Sequence, residues 1–140
     1  MPKYSICIPT YNRSELLINA AESALNQEYE DYEVLIVDNH SDENHQTVIE
    51  NYLSQTTISN LTYIKNSSNL GMMGNWNKCI SFAKGQYVSI LSDDDLLAPN
   101  FLRNIDSVVN KHPKCSCFVK KEEYEISKPL PDLRKGECHN

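Results

Sequence analysis

Three consecutive carboxylates, Asp93, Asp94 and Asp95, close an apolar, β-branched stretch in the segment YVSILSDDDLLAPN, Tyr87 to Asn100. Like charges held this close raise one another's pKa and work against a compact fold. A divalent cation resolves the conflict, because carboxylates that gather around a hard metal are neutralised by it. With most coordination positions left to water and ligand, such a site suits Mg²⁺ or Mn²⁺ carrying a diphosphate. The metal would neutralise charge that builds on a departing phosphate. Strand-end acids also arise as helix caps, here ahead of Pro99, so spacing alone leaves both readings open.

The elements that must position these acids follow from hydrophobic period. Tyr4 to Pro9 (YSICIP) is a short apolar run stopped by proline, which predicts a buried strand. Ser14 to Asn26 carries apolar residues at helical spacing, with Asn12 or Ser14 as its cap. Glu33 to Asp38 (EVLIVD) predicts a second strand, and Ser41 to Leu53 a helix capped by Ser41. Leu61 to Lys65 reads as a third strand and Asn66 to Asn69 as a turn. Gly71 to Ala83 reads as a helix with Gly85 as a C-cap beyond it. Gln86 to Leu91 predicts a fourth strand, Pro99 to Asn110 a helix with proline near its first position, and Ser116 to Val119 a fifth strand. Strands apolar on both faces, alternating with amphipathic helices, indicate an α/β fold: an open, mostly parallel sheet with helices on both faces. The reading is one domain over 1–120, with 121–140 as a tail or the start of an acceptor-binding half.

In such a sheet, ligands bind outside the carboxyl ends of the strands. The first strand leads into Pro9-Thr10-Tyr11-Asn12-Arg13, the second into Asp38-Asn39-His40-Ser41-Asp42, the third into Asn69-Leu70-Gly71 and the fourth into Ser92-Asp93-Asp94-Asp95. Four loops on one rim thus supply an aromatic face, an acid, amides and a carboxylate cluster. Capping or turn duty suffices for Asn69, Ser41 and Asp42. It does poorly for Asp93 to Asp95, since a cap needs one carboxylate and not three.

The bulk numbers narrow the classes. A chain of 140 residues with 19 acidic and 13 basic residues, net −6, has no basic tract for gripping nucleic acid or an anionic membrane. No run approaches the roughly 20 apolar residues of a membrane span, and the N-terminus does not read as a signal peptide. Cys7 and Cys79 lie in apolar patterns as buried thiols, and a reducing, cytoplasmic setting fits, at most at the inner face of the membrane. Cys115-Ser-Cys117 with Cys138-His139 lacks the two-residue spacer usual in zinc sites.

SICIPTYNR at 5–13, VDNHSDE at 37–43, NLGMMGNWN at 69–77 and ILSDDDLLAP at 90–99 resemble the successive blocks of family 2 glycosyltransferases. Four blocks in order and spacing are far more specific than any one of them. The resemblance implies the A-type glycosyltransferase fold (GT-A), whose nucleotide-binding half is Rossmann-like. It implies transfer of a sugar from a nucleotide-diphosphate sugar, UDP-type favoured, to a glycan or lipid-linked acceptor. Pro9 to Tyr11 would line the base pocket with Tyr11 stacking on the base, Asn12, Arg13, Asn39, Asn69 and Gly71 would lie along the donor, and Asp38 would hydrogen-bond the base or ribose. Asp94 is assigned to the metal, Asp93 to the ribose or metal shell, and Asp95 to a supporting or capping role. Two positions depart from the pattern: Asn39 stands where many members have a second acid, and Trp76 where many have an arginine. For Trp76 a core position on the third helix is expected.

Most of that family invert at the anomeric carbon, which needs a general base on the acceptor hydroxyl. The family takes that acid from well beyond the metal motif. Glu122, Glu123, Glu125 and Asp132 sit in no such motif here, so the general base is unassigned. The alternative reading is therefore a nucleotide-sugar-binding module without catalysis, or one dependent on a partner chain or second copy. A phospho-accepting receiver domain does not fit, since the loop after the first strand is PTYN rather than paired acids.

Overall fold

The computed structural model describes residues 1–115 and the backbones of 117–118 and 138–139. Met1–Phe101 forms one compact unit and Leu102–Asn140 a second. The charged segment with Glu122, Glu123, Glu125 and Asp132, and the side chains of Cys117 and Cys138, lie outside the described residues.

The first unit alternates β1 (Tyr4–Thr10), α1 (Ser14–Leu25), β2 (Tyr32–Asp38), α2 (Glu43–Ser54), β3 (Leu61–Lys65), α3 (Gly71–Phe82) and β4 (Tyr87–Ile90). Its four strands pair in the order β3-β2-β1-β4, all parallel. Right-handed crossovers place α1 and α2 on one face, where they touch each other, and α3 on the opposite face against β1 and β2. The central strands are buried on both sides. Ile6, Ile8, Val34 and Ile36 alternate along β1 and β2 with Cys7, Leu35 and Val37, and all are buried. Cys7, Leu35 and Val37 pack with Cys79 of α3, with Ala83 and Ile90 alongside. Each large apolar side chain so buried contributes about 1.5–3 kcal/mol, so this core holds the strand ends rigidly.

Register then decides what meets at the rim. Thr10 lies opposite Asp38, and Asp38 opposite Lys65, so three strands end at one level. Cys7 lies opposite Ile90, and the Leu91 N–H still donates to the Cys7 carbonyl at 2.8 Å. Continuing that register three residues brings Asp93 beside Thr10.

Local capping differs from expectation. Arg13 is the N-cap residue of α1 and makes no side-chain cap bond, and α2 starts after Asp42 rather than Ser41. Ser41 does not cap because its hydroxyl donates to the Asp38 carboxylate instead. Gly85 is not a left-handed C-cap either, since α3 closes at Ala83 in extended backbone. Glycine is needed at 85 because the chain crosses β1 closely. A Cβ there would lie 2.6 Å from the Ser5 nitrogen and 2.7 Å from the Tyr4 carbonyl carbon. Gly85→Ala should therefore displace backbone and lower stability by about 2–3 kcal/mol in urea unfolding. A loss below about 0.5 kcal/mol would show that β4 tolerates the shift.

In the second unit, α4 (Phe101–Lys111) buries Leu102 and Val109, with Pro99 two residues ahead of it. The expected fifth strand forms as β5 (Cys117–Phe118), but it pairs antiparallel with β6 (Cys138–His139) rather than joining the parallel sheet. Cys7 and Cys79 are buried free thiols as expected. Cys115 is disulfide-bonded, a pairing that a reducing setting did not anticipate. Among the described residues, no helix is long and apolar enough to cross a membrane.

Candidate functional site

The strand-end acids are held by a cation of the protein's own. Asp93 is almost fully buried, and its Oδ2 accepts from the Thr10 hydroxyl at 2.9 Å. Arg13 Nη1 lies 3.3 Å from Asp93 Oδ1 and 3.3 Å from Asp94 Oδ2, bridging the two carboxylates. Ser92 donates to Asp94 Oδ1 at 2.7 Å. Burial pushes Asp93 above the usual aspartate range, against the opposing pull of the Thr10 hydroxyl and Arg13. Asp94 is held below that range, chiefly by the Ser92 hydroxyl and with Arg13 adding to it. Thus the β1–α1 turn supplies the counter-charge for the β4 end. Asp95 is exposed and ends a turn through its N–H to the Ser92 carbonyl. It stands six residues ahead of α4, so it does not cap that helix.

Among the described residues, no group of three or more acidic, histidine or cysteine side chains could hold a metal. Two converging carboxylates nevertheless fit one kind of ion. Besides these partners Asp93 accepts from the Tyr11 backbone and Asp94 from its own backbone, and each carboxylate, with about four lone-pair directions, keeps one for an ion. Mg²⁺ and similar ions are commonly held by one or two carboxylates, with substrate phosphates and water completing the shell.

Asp38 ends β2 on the same rim. It is fully buried, and its Oδ1 accepts from the Ser41 N–H at 2.9 Å and the Ser41 hydroxyl at 2.5 Å. Its Oδ2 accepts from the Tyr63 hydroxyl at 2.7 Å. A carboxylate so enclosed holds the loop that follows β2. The Ser41 oxygen in turn accepts from the Asn12 N–H at 2.9 Å. Asn12 sits in the left-handed region, φ 52°, which asparagine tolerates, and its side chain brackets Asp42. Asp38, Ser41 and Asn12 form a relay from the end of β2 to the turn that carries Tyr11 and Arg13. His45 of α2 braces the same turn, its Nδ1 2.9 Å from the Ser14 hydroxyl.

A second tie is made of asparagines. Asn39 donates to Asn69 Oδ1 at 2.9 Å and to the Gly71 carbonyl at 3.2 Å. It accepts from the Leu70 N–H and from Asn66. Asn66 also donates to Asn75 at 2.8 Å, and Asn75 to the Val37 carbonyl at 3.0 Å. An aspartate at 39 could not make the two donations. Gly71, φ 73°, needs its glycine at the mouth of α3. Asn69 and Gly71 are thus drawn to the rim by Asn39.

Tyr11 follows β1 and is 46 % exposed. Pro9 precedes it as the last half-covered residue of the strand. Trp76 is not in the core: Asn75 and Cys79 take the inward positions of α3, and the tryptophan one residue along is 38 % exposed. Tyr63, Asn66 and Asn75 join these networks although none was expected at the site from the sequence. Asn75 did carry a signal, since asparagine is a poor residue for a helix interior unless its amide is used.

Tyr63 offers a test by pH. Burial, first, and the adjacent Asp38 push its phenol above the usual value of 10.0. An acid whose folded pKa is raised adds stability below its unfolded pKa and loses it as pH climbs past that value. Tyr63→Phe should cost about 1–2 kcal/mol at pH 8. That cost should shrink above pH 10, as wild type alone declines through this group. A cost that grows between pH 10 and 11 in denaturant titrations would contradict the assignment.

The site is thus a parallel α/β sheet whose β2 ends in a buried acid and whose β4 is followed by an arginine-bridged acid pair. Residues 5–132 match the model of glycosyl transferase family 2, and the chain belongs to that family. It is 32 % identical over 126 residues to a GalNAc(5)-diNAcBac-PP-undecaprenol beta-1,3-glucosyltransferase of Campylobacter jejuni, covering 87 % of this chain and 40 % of that protein. It is 36 % identical over 109 residues to the poly(ribitol-phosphate) beta-N-acetylglucosaminyltransferase TarP of Staphylococcus aureus, covering 75 % and 32 %. The fold is similar to that of S. aureus TarS in complex with UDP, with a TM-score of 0.73 and 23 % identity over 92 % of this chain and 38 % of that one. The Pyrobaculum calidifontis mannosyltransferase PcManGT, in complex with GDP-Man and Mn²⁺, gives a TM-score of 0.70 at 23 % identity, covering 77 % and 32 %. The fold is therefore GT-A. The chain spans about two-fifths or less of the length of these proteins.

Proposed function

We propose that this chain carries the donor-binding part of a metal-dependent, inverting glycosyltransferase that transfers a sugar from a nucleotide-diphosphate sugar to a glycan or lipid-linked acceptor. The observation that carries it is the convergence of Arg13, Asp93 and Asp94 beside Thr10, next in sequence to the exposed Tyr11. Family membership supports the reaction class, and relatives named for bacterial glycan synthesis support the pathway class. Neighbours solved with UDP, UDP-GlcNAc and GDP-Man with Mn²⁺ support the donor and the ion.

In this reading Tyr11 stacks on the base, as aromatic faces do with any base. Asp93 and Asp94 hold Mg²⁺ or Mn²⁺, which supplies charge neutralisation for the leaving diphosphate. Arg13, with its planar fork of donors, meets phosphate oxygens. The Asn69–Gly71 turn, tied by Asn39, lies along the ribose and diphosphate. Asp38 acts one step back, setting the β1–α1 turn through Ser41 and Asn12. UDP is the favoured nucleotide, and the cytoplasmic side, where nucleotide sugars are made, is the proposed place of action.

Calorimetry with UDP in Mn²⁺ and in EDTA tests the reading. Binding that requires Mn²⁺ is expected; equal affinity in EDTA would remove the metal from the donor site. Incubation with UDP-sugars then separates two outcomes. Transfer to an added glycan acceptor marks a complete transferase, whereas slow donor hydrolysis at most marks a module that needs a partner chain or second copy.

A further inference from the structure

We infer that Arg13 is a built-in substitute for the divalent cation, which leaves the acid pair when metal arrives and moves onto the donor's diphosphate. The inference rests on the metal-dependent reading above and deepens it.

One guanidinium nitrogen stands between Asp93 and Asp94, at 3.3 Å from each. Both carboxylates therefore already have their countercharge. Their other partners, the hydroxyls of Thr10 and Ser92 and the backbone at Tyr11 and Asp94, stabilise charge but do not cancel it. A divalent ion needs the oxygens that Arg13 now faces, and it brings like charge against the guanidinium. Metal and arginine thus compete for one position. The arginine is free to leave: its side chain is half exposed, and it caps α1 with its backbone alone, the side chain making no cap bond. Asp93, by contrast, is nearly buried and anchored to Thr10, so the acids stay while the base moves.

The displaced guanidinium needs a new anion. A diphosphate presented to the same ion offers one within a side chain's reach, in the bidentate geometry that arginine favours. Metal alone must break two ion pairs without replacing them. Metal with nucleoside diphosphate breaks them and forms new ones. The two ligands should therefore bind with positive coupling, and by linkage each should tighten the other by the same factor. Arg13 is a positioning residue for the metal and a binding residue for the donor.

Mn²⁺ titrations of the whole chain, followed by calorimetry and by the electron paramagnetic resonance of free Mn²⁺, test this with and without UDP. Arg13→Gln should bind Mn²⁺ alone roughly three- to tenfold more tightly than wild type, the range expected from losing one or two partly exposed ion pairs. The same variant should bind UDP in Mn²⁺ more weakly, so the mutual tightening of metal and UDP should fall. Its melting temperature should rise more on adding Mn²⁺ than that of wild type, because the acid pair then lacks its internal cation. If Arg13→Gln binds Mn²⁺ alone no better than wild type, while Asp94→Asn abolishes binding in both, the competition is wrong and the metal site stands. If Asp94→Asn leaves Mn²⁺ binding unchanged in both backgrounds, the metal reading itself fails and this inference with it. Arg13→Lys separates charge from shape: it should keep the weak metal affinity but lose much of the UDP coupling.

Discussion

Replacing Asp94 with alanine is expected to weaken UDP binding in Mn²⁺ by about a hundredfold or more, while leaving the melting temperature near that of wild type. The asymmetry follows from placement. Asp94 is exposed, and its carboxylate bonds the Ser92 hydroxyl, Arg13 and its own backbone, so little packing depends on it. Its carboxylate is one of two that could hold the ion, and a site with two protein ligands loses most of its affinity with one. Calorimetry measures the first quantity and differential scanning the second. A hundredfold change is about 2.7 kcal/mol of nucleotide binding, well outside the error of either method. Unchanged metal-dependent affinity would take Asp94 out of the site.

Asp38→Ala should show the opposite balance: a large loss of stability, about 3–4 kcal/mol, with donor binding failing as a consequence. The carboxylate is fully buried and accepts from the Ser41 N–H, the Ser41 hydroxyl and the Tyr63 hydroxyl. Removing it strands those donors away from water, at about 1–3 kcal/mol for each that finds no new partner. Asp38→Asn keeps the shape and one acceptor, so its loss should be about half as large. At temperatures where Asp38→Ala is still folded, UDP should bind more weakly, because the Ser41–Asn12 relay no longer holds the turn bearing Tyr11 and Arg13. An Asp38→Ala protein of wild-type stability with selectively lost UDP affinity would instead place the carboxylate in direct contact with the nucleotide.

The two acids thus separate by where the fold puts them, although both end a strand. In the sequence they look alike, each following a run of β-branched residues. That pattern did determine the architecture. Apolar strands alternating with amphipathic helices allow only a parallel sheet covered on both faces, and such a sheet presents its loops along one rim. The residues that reach the rim were therefore legible: Thr10, Tyr11, Arg13, Asn39, Asp93 and Asp94 all lie at strand ends in a four-block order.

What each of them does there was decided by tertiary structure. Register along β1 and β4 brings Thr10 to Asp93, and the β1–α1 turn brings Arg13 across 80 residues of sequence to the same acids. No local pattern encodes a pairing at that separation, so a run of three aspartates pointed to a metal while the counter-ion built into the chain went unseen. Burial likewise turned Asp38 inward, because Tyr63 on the neighbouring strand and Ser41 in the following loop both aim at it. Helical phase put Trp76 on the surface and Asn75 beneath it. Period and composition specify which elements form. Long-range hydrogen bonds, whose partners are remote in sequence, specify which polar side chains remain open for a ligand.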